Sequence, residues 1–149
     1  MYFKITDLHC KVFAYADLRQ EQGIKNQTMK TILKLEETAM AAIAVYLLSQ
    51  HHLGLSWWWW IILFFSPDIG MLGYLISTKA GAITYNLLHH KGIAIVVAAS
   101  GYYLQNEFLT AAGLLIFAHA SFDRILGYGL KYEDNFQNTH LGKLGRMPG

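Results

Sequence analysis

Asp68, His89, His119 and Asp123 are acids and imidazoles set inside long apolar stretches of this chain. Ionisable groups are costly in hydrocarbon, so within a membrane span each marks a candidate functional position. Carboxylates with imidazoles are ligands for a divalent metal such as zinc, iron or manganese. Such a metal would neutralise buried acids and activate water for hydrolysis at the membrane surface. The same groups serve a proton relay in a small transporter, or a plain hydrogen-bond network holding helices together. The spacing is informative without being decisive. His119 and Asp123 are i,i+4 and share a helix face, as do Asn86 with His89 (i,i+3) and with His90 (i,i+4). No HExxH motif is present. Pro67, just before Asp68, frees a carbonyl one turn earlier and predicts a kink beside the carboxylate.

The elements that must position these residues are apolar. Of 149 residues, 54% are hydrophobic and only 15% charged, against about a quarter charged in soluble domains. Charge gathers in residues 1–34 and 127–149. The net charge of +2 is too small to suggest a nucleic-acid partner. Cys10 is the lone cysteine, so no internal disulfide is possible, and it reads as an ordinary thiol. No signal-peptide pattern opens the chain. The stretch from Met29 reads like the start of a membrane protein. Residues 1–28 then form an upstream extension or peripheral segment, with an amphipathic helix expected around residues 5–18.

Hydropathy predicts an all-α fold: an integral-membrane four-helix bundle with spans at 31–50, 57–77, 80–104 and 107–126. Each is close to the ~20 residues that cross the hydrocarbon core. His51, His52 and Gly54 end the first span. Trp57–Trp60 and the pair Tyr102 and Tyr103 mark membrane–water boundaries. Short connections make successive spans antiparallel neighbours. Lys25, Lys30, Lys34, Lys79, Lys131, Lys143 and Arg146 fall on one side, whereas the other has no Lys or Arg. That side is cytoplasmic by the positive-inside rule, with both termini, in a cell inner membrane. The bilayer is the partner this implies, and a transport role would need a homodimer.

Depth supports convergence. At ~1.5 Å per residue, Asp68 lies roughly 16 Å from Trp57 and His89 roughly 14 Å from Ala80. Glu36 and Glu37 start span one, and His119 sits near mid-depth of span four with Asp123 a turn closer to the cytoplasm. All can meet in the cytoplasmic half. Lys91, mid-span, is expected to pair with Asp68 or Asp123, or to snorkel outward. In the tail (residues 127–149), His140 is placed to fold over the cytoplasmic mouth, completing a site or closing a lid.

LKLEE (33–37), FSPDIGMLGYL (65–75), GAITYNLLHH (81–90), HASFDRILGYGLKY (119–132) and THLG (139–142) carry a family resemblance. They resemble the bacterial membrane family catalogued as domain of unknown function 4260, over residues from about 31 to 145. The resemblance implies a small four-span membrane protein and no stated activity. Its polar pattern points to Glu36 rather than Glu37, to Pro67, Asp68, Tyr85, Asn86 and His89, and to His119, Asp123 and Arg124. It continues through the tail motifs 127–132 and 139–142, and departs at His90 and Lys91. Taken together, His89, His119, Asp123 and His140 form the candidate metal set. Glu36, Asp68 and Arg124 are the candidate catalytic groups, and Tyr85 and Asn86 a surrounding polar network. No organic cofactor site is read, and no substrate is named by these residues.

Overall fold

The computed structural model describes residues 3–51 and 53–144, with side chains from residue 15 onward except His52. The Cys10 side chain, His52 and Arg146 lie outside the described residues. The fold is all-α apart from a small hairpin. Helix α1 spans Phe3–Leu48, α2 Trp57–Phe64, α3 Thr78–His89, α4 Lys91–Tyr103 and α5 Glu107–Leu126. A 3₁₀ segment, Ser66–Leu75, joins α2 to α3, and β1 (Asn138–Thr139) pairs antiparallel with β2 (Gly142–Lys143).

Contacts divide the chain into residues 1–35 and 36–149. The first unit is helical, and from Tyr15 onward its side chains are exposed. It carries an i,i+4 ion pair, Glu21–Lys25, at 2.7 Å. Such an exposed pair contributes only a few tenths of a kcal/mol.

Residues 36–149 hold the core. Helices α4 and α5 pack as a pair through small residues. A Cβ on Gly113 would strike the backbone of Ala98, and one on Gly101 the backbone of Thr110. Only glycine permits that approach. The 3₁₀ segment packs as closely on α3. A Cβ on Gly70 would lie 2.8 Å from the Thr84 carbonyl oxygen, and the Thr84 hydroxyl donates to the Gly70 carbonyl at 2.6 Å.

Two expected spans are corrected in their interior. The stretch 80–104 is not one helix: the backbone is extended at His90 (φ −85°, ψ 108°), which ends α3 and starts α4. The His90 side chain caps α4, its Nδ1 accepting from Ile93 N at 3.3 Å. An imidazole thereby does what Ser or Asn does at most helix starts. Ser77 and Asn106 cap α3 and α5 in that usual way. The stretch 57–77 is likewise α2 followed by the ten-residue 3₁₀ segment, which opens at Pro67. Runs of 3₁₀ beyond 3–4 residues are uncommon and often mark functional or strained segments. Two stretches, Trp57–Leu75 and Glu107–Leu126, are long and apolar enough to cross a membrane. Trp58, Leu75, Ile76, Val96, Tyr103 and Phe108 are large apolar groups left exposed.

Candidate metal centre

Each residue of the central cluster comes from a different local cause. Asp68 lies in the first turn of the 3₁₀ segment, just after Pro67. His89 is the last residue of α3, where the break at His90 ends the helix. His119 and Asp123 share one face of α5, a turn apart. One donor atom from each of the four lies within 4.8 Å of all the others.

The ligand atoms approach one another closely. His89 Nε2 is 3.1 Å from His119 Nε2. It is also 3.6 Å from Asp68 Oδ1 and 3.4 Å from Asp123 Oδ2. His119 Nε2 is 3.5 Å from Asp68 Oδ1 and 3.8 Å from Asp123 Oδ1. A tetrahedron with bonds of 2.0–2.2 Å has edges of roughly 3.3–3.6 Å. Here the two histidines face different oxygens of Asp123, and with one ligand atom per residue the four lie within 4.8 Å of one another, a compact set wider than that tetrahedron on at least one edge.

Surrounding bonds aim the donors inward. His89 Nδ1 lies 2.9 Å from the Tyr85 carbonyl oxygen. That oxygen can only accept, so Nδ1 carries the proton and the neutral ring presents its lone pair at Nε2. The Tyr85 hydroxyl donates to Asp123 Oδ2 at 2.7 Å, and its ring stacks on His89 at 3.8 Å. Phe64 packs edge-on against His119 at 5.3 Å. His119 Nδ1 has no hydrogen-bond partner among the described residues. His89 and His119 are 3% and 1% exposed, the Asp123 side chain 13% and that of Asp68 35%. The cluster is therefore closed on the histidine side and open beside Asp68.

The other candidates lie elsewhere. His140 does not join the cluster: its Nδ1 accepts from Leu130 N at 2.8 Å, within the tail. Glu36 is exposed, and Glu37 is the acid that engages partners. Glu37 pairs with Lys91 and lies 3.8 Å from Arg124 Nη1. Lys91 thus neither snorkels nor reaches Asp68 or Asp123. Arg124 belongs to this second ionic group, apart from the four-residue cluster. Asn86 holds the tail, its amide bonding both backbone groups of Lys131 at 2.7 and 2.8 Å. Lys131 itself is buried, which its place in an exposed-looking GYGLKY motif did not signal.

Fold and cluster together define a small all-α protein built around one buried Asp/His centre. Residues 30–144 match the family described as Domain of unknown function (DUF4260), and the chain belongs to that family. No curated protein and no solved structure matches it.

Proposed function

We propose that this is a multi-pass inner-membrane protein whose His89, His119 and Asp123 bind a divalent metal, with Asp68 beside it, to hydrolyse a substrate at the cytoplasmic face. The observation that carries this reading is the convergence of two imidazoles and two carboxylates whose ligand atoms lie within 4.8 Å of one another. Two imidazoles and a carboxylate suit zinc, iron or manganese. A catalytic site keeps one coordination position open, and the most exposed carboxylate, Asp68, lines the open side. A divalent metal held by His89, His119 and Asp123 would supply Lewis-acid chemistry there, and Asp68 would serve as general base on the open side.

The bilayer reading rests on the two apolar stretches above and on the large apolar groups exposed along them, among them Trp57, Trp58, Leu72, Leu75 and Phe108. The reading has four crossings, with α3 and α4 together as the third, and charge asymmetry favours both termini in the cytoplasm. Reporter fusions at both ends test it, and a periplasmic signal at either end rejects it.

Elemental analysis of protein purified in detergent without chelator tests the centre. The expected result is one divalent ion per chain, lost in His119→Ala and Asp123→Ala. Substitution by cobalt(II) should give the intense visible absorption of a tetrahedral site. Protein without stoichiometric metal, and without cobalt uptake, leaves only a structural polar network and overturns the proposal.

A further inference from the structure

Residues three apart eclipse in a 3₁₀ helix, so the segment Ser66–Leu75 presents three rows of side chains. Pro67, Gly70 and Gly73 form the inner row, with both glycines against the backbone of α3. Asp68, Met71 and Tyr74 form a half-buried row. Ile69, Leu72 and Leu75 form the outer row, where Ile69 is 65% and Leu72 59% exposed. Asp68 therefore stands at the border between the Asp/His cluster and a bare apolar stripe. Phe65, three residues before it, and Phe122, next to Asp123, are exposed as well. The open side of the cluster is framed by apolar side chains.

The other sides are covered. Phe64 packs edge-on against His119, and both Phe65 and Phe122 pack edge-on against Phe64. On the His89 side the Tyr85 ring is stacked at 3.8 Å, and the tail lies over that ring. Lys131 Nζ stands 5.2 Å from the Tyr85 centroid, 4.0 Å from that of Phe136 and 5.8 Å from that of Tyr128. The Asn86 amide pins the backbone of Lys131 in this place. The tail is on the side that charge asymmetry assigns to the cytoplasm, so the aqueous approach is the covered one. Asp68 lies well inside the stretch Trp57–Leu75. At ~2.0 Å per residue it is roughly 14 Å from Leu75. In the bilayer reading, an opening at that depth looks into hydrocarbon.

We infer that the substrate of this centre is an acyl ester of a membrane lipid, which enters sideways from the bilayer past Asp68. This deepens the hydrolase reading and rests on it. The lipid keeps its chain against the outer row of the 3₁₀ segment while its ester, the polar group nearest that chain, meets the cluster. The cluster has no Lys or Arg to receive a phosphate, and an unpaired anion is expensive at that depth. An uncharged ester costs less to desolvate. In the hydrolysis, the oxygen of water bonds to the acyl carbon and Asp68 takes its proton. The bond from that carbon to the alcohol oxygen breaks, and the proton passes to the leaving oxygen.

The experiment uses the full-length wild type in nanodiscs of phosphatidylglycerol and phosphatidylethanolamine, with metal content determined on the same preparation. One portion is stripped of metal and treated with dicyclohexylcarbodiimide, which partitions into hydrocarbon, or with a charged water-soluble carbodiimide. Peptide mass spectrometry reads the labelling of each acid. Asp68 should take at least tenfold more of the apolar reagent, whereas Glu133 and Asp134, exposed in the tail, should favour the soluble one. Equal or reversed labelling of Asp68, or none by either reagent, overturns sideways entry. A second portion, with its metal, contains a phospholipid made photoactivatable on the acyl carbon next to its ester. Its adducts should include the rim of the cluster, at residues 64–69 and Phe122. Adducts absent from that rim overturn the lipid assignment. Either failure in protein that holds its metal leaves the metal reading intact, and wild type without metal overturns both.

Discussion

Two largely buried clusters of charge-bearing side chains, one around Glu37 and one around Asp68, handle burial in opposite ways. Lys91, Glu37 and Arg124 form a set in which each cation has an acid to face, with Lys91 also 5.1 Å from the Phe117 ring centroid. This set needs nothing from outside the chain. Asp68, His89, His119 and Asp123 instead bring two acids and two imidazoles to a common point with no Lys or Arg among them. Ion pairing within a chain stabilises a helix junction, whereas donors aimed at one another leave a position suited to a metal. The contrast separates a structural charge group from a candidate site more sharply than burial does, since both are largely buried.

The largest expected effect falls on the cluster. His119→Ala should abolish metal binding and the metal's contribution to thermal stability, while Glu37→Gln leaves metal stoichiometry at the wild-type value. Parallel elemental analysis checks both, and loss of metal in the Glu37 variant would erase the distinction. Next comes the ionic set. Glu37→Met leaves two poorly solvated cations unpaired and should cost about 3–5 kcal/mol. Adding Lys91→Met should recover part of that loss, read from denaturation midpoints of the single and double variants. Tyr85→Phe removes the hydrogen bond to Asp123 and should weaken metal affinity by roughly 10–100-fold with the fold retained, as for other supporting contacts of metal ligands. A competitive chelator titration measures it. The smallest effect is expected for Asn86→Ala. Freeing the backbone of Lys131 should cost about 1–3 kcal/mol. Hydrogen exchange should quicken in residues 128–144 while α5 stays protected.

The cluster was legible because its signals are local and periodic. His119 and Asp123 share a face by spacing alone, and depth along each apolar stretch put Asp68 and His89 at a comparable level. What escaped depended on packing. Glu36 and Glu37 are adjacent in sequence, and which one meets Lys91 is decided by the rotation of α1, which a nearly uniform apolar stretch does not reveal. The break at His90 carries neither proline nor glycine at the break itself. Apolar residues continue on both sides, so the pattern reads through a cap made by an imidazole. His140 was drawn to the site by its chemistry, yet its hydrogen bond to Leu130 N is one of the contacts that shape the tail. The burial of Lys131 left no mark in the sequence, because the three rings around it come from α3 and two separate parts of the tail.

The 3₁₀ segment also changes the reach of the chain. An α-helix advances ~1.5 Å per residue and a 3₁₀ helix ~2.0 Å. The ten residues Ser66–Leu75 therefore cover about 20 Å where an α-helix would cover about 15 Å. With α2 before it, the stretch Trp57–Leu75 has 19 residues and is long and apolar enough to cross a membrane. The same winding that carries Asp68 toward the histidines thus adds about 5 Å of reach between α2 and α3.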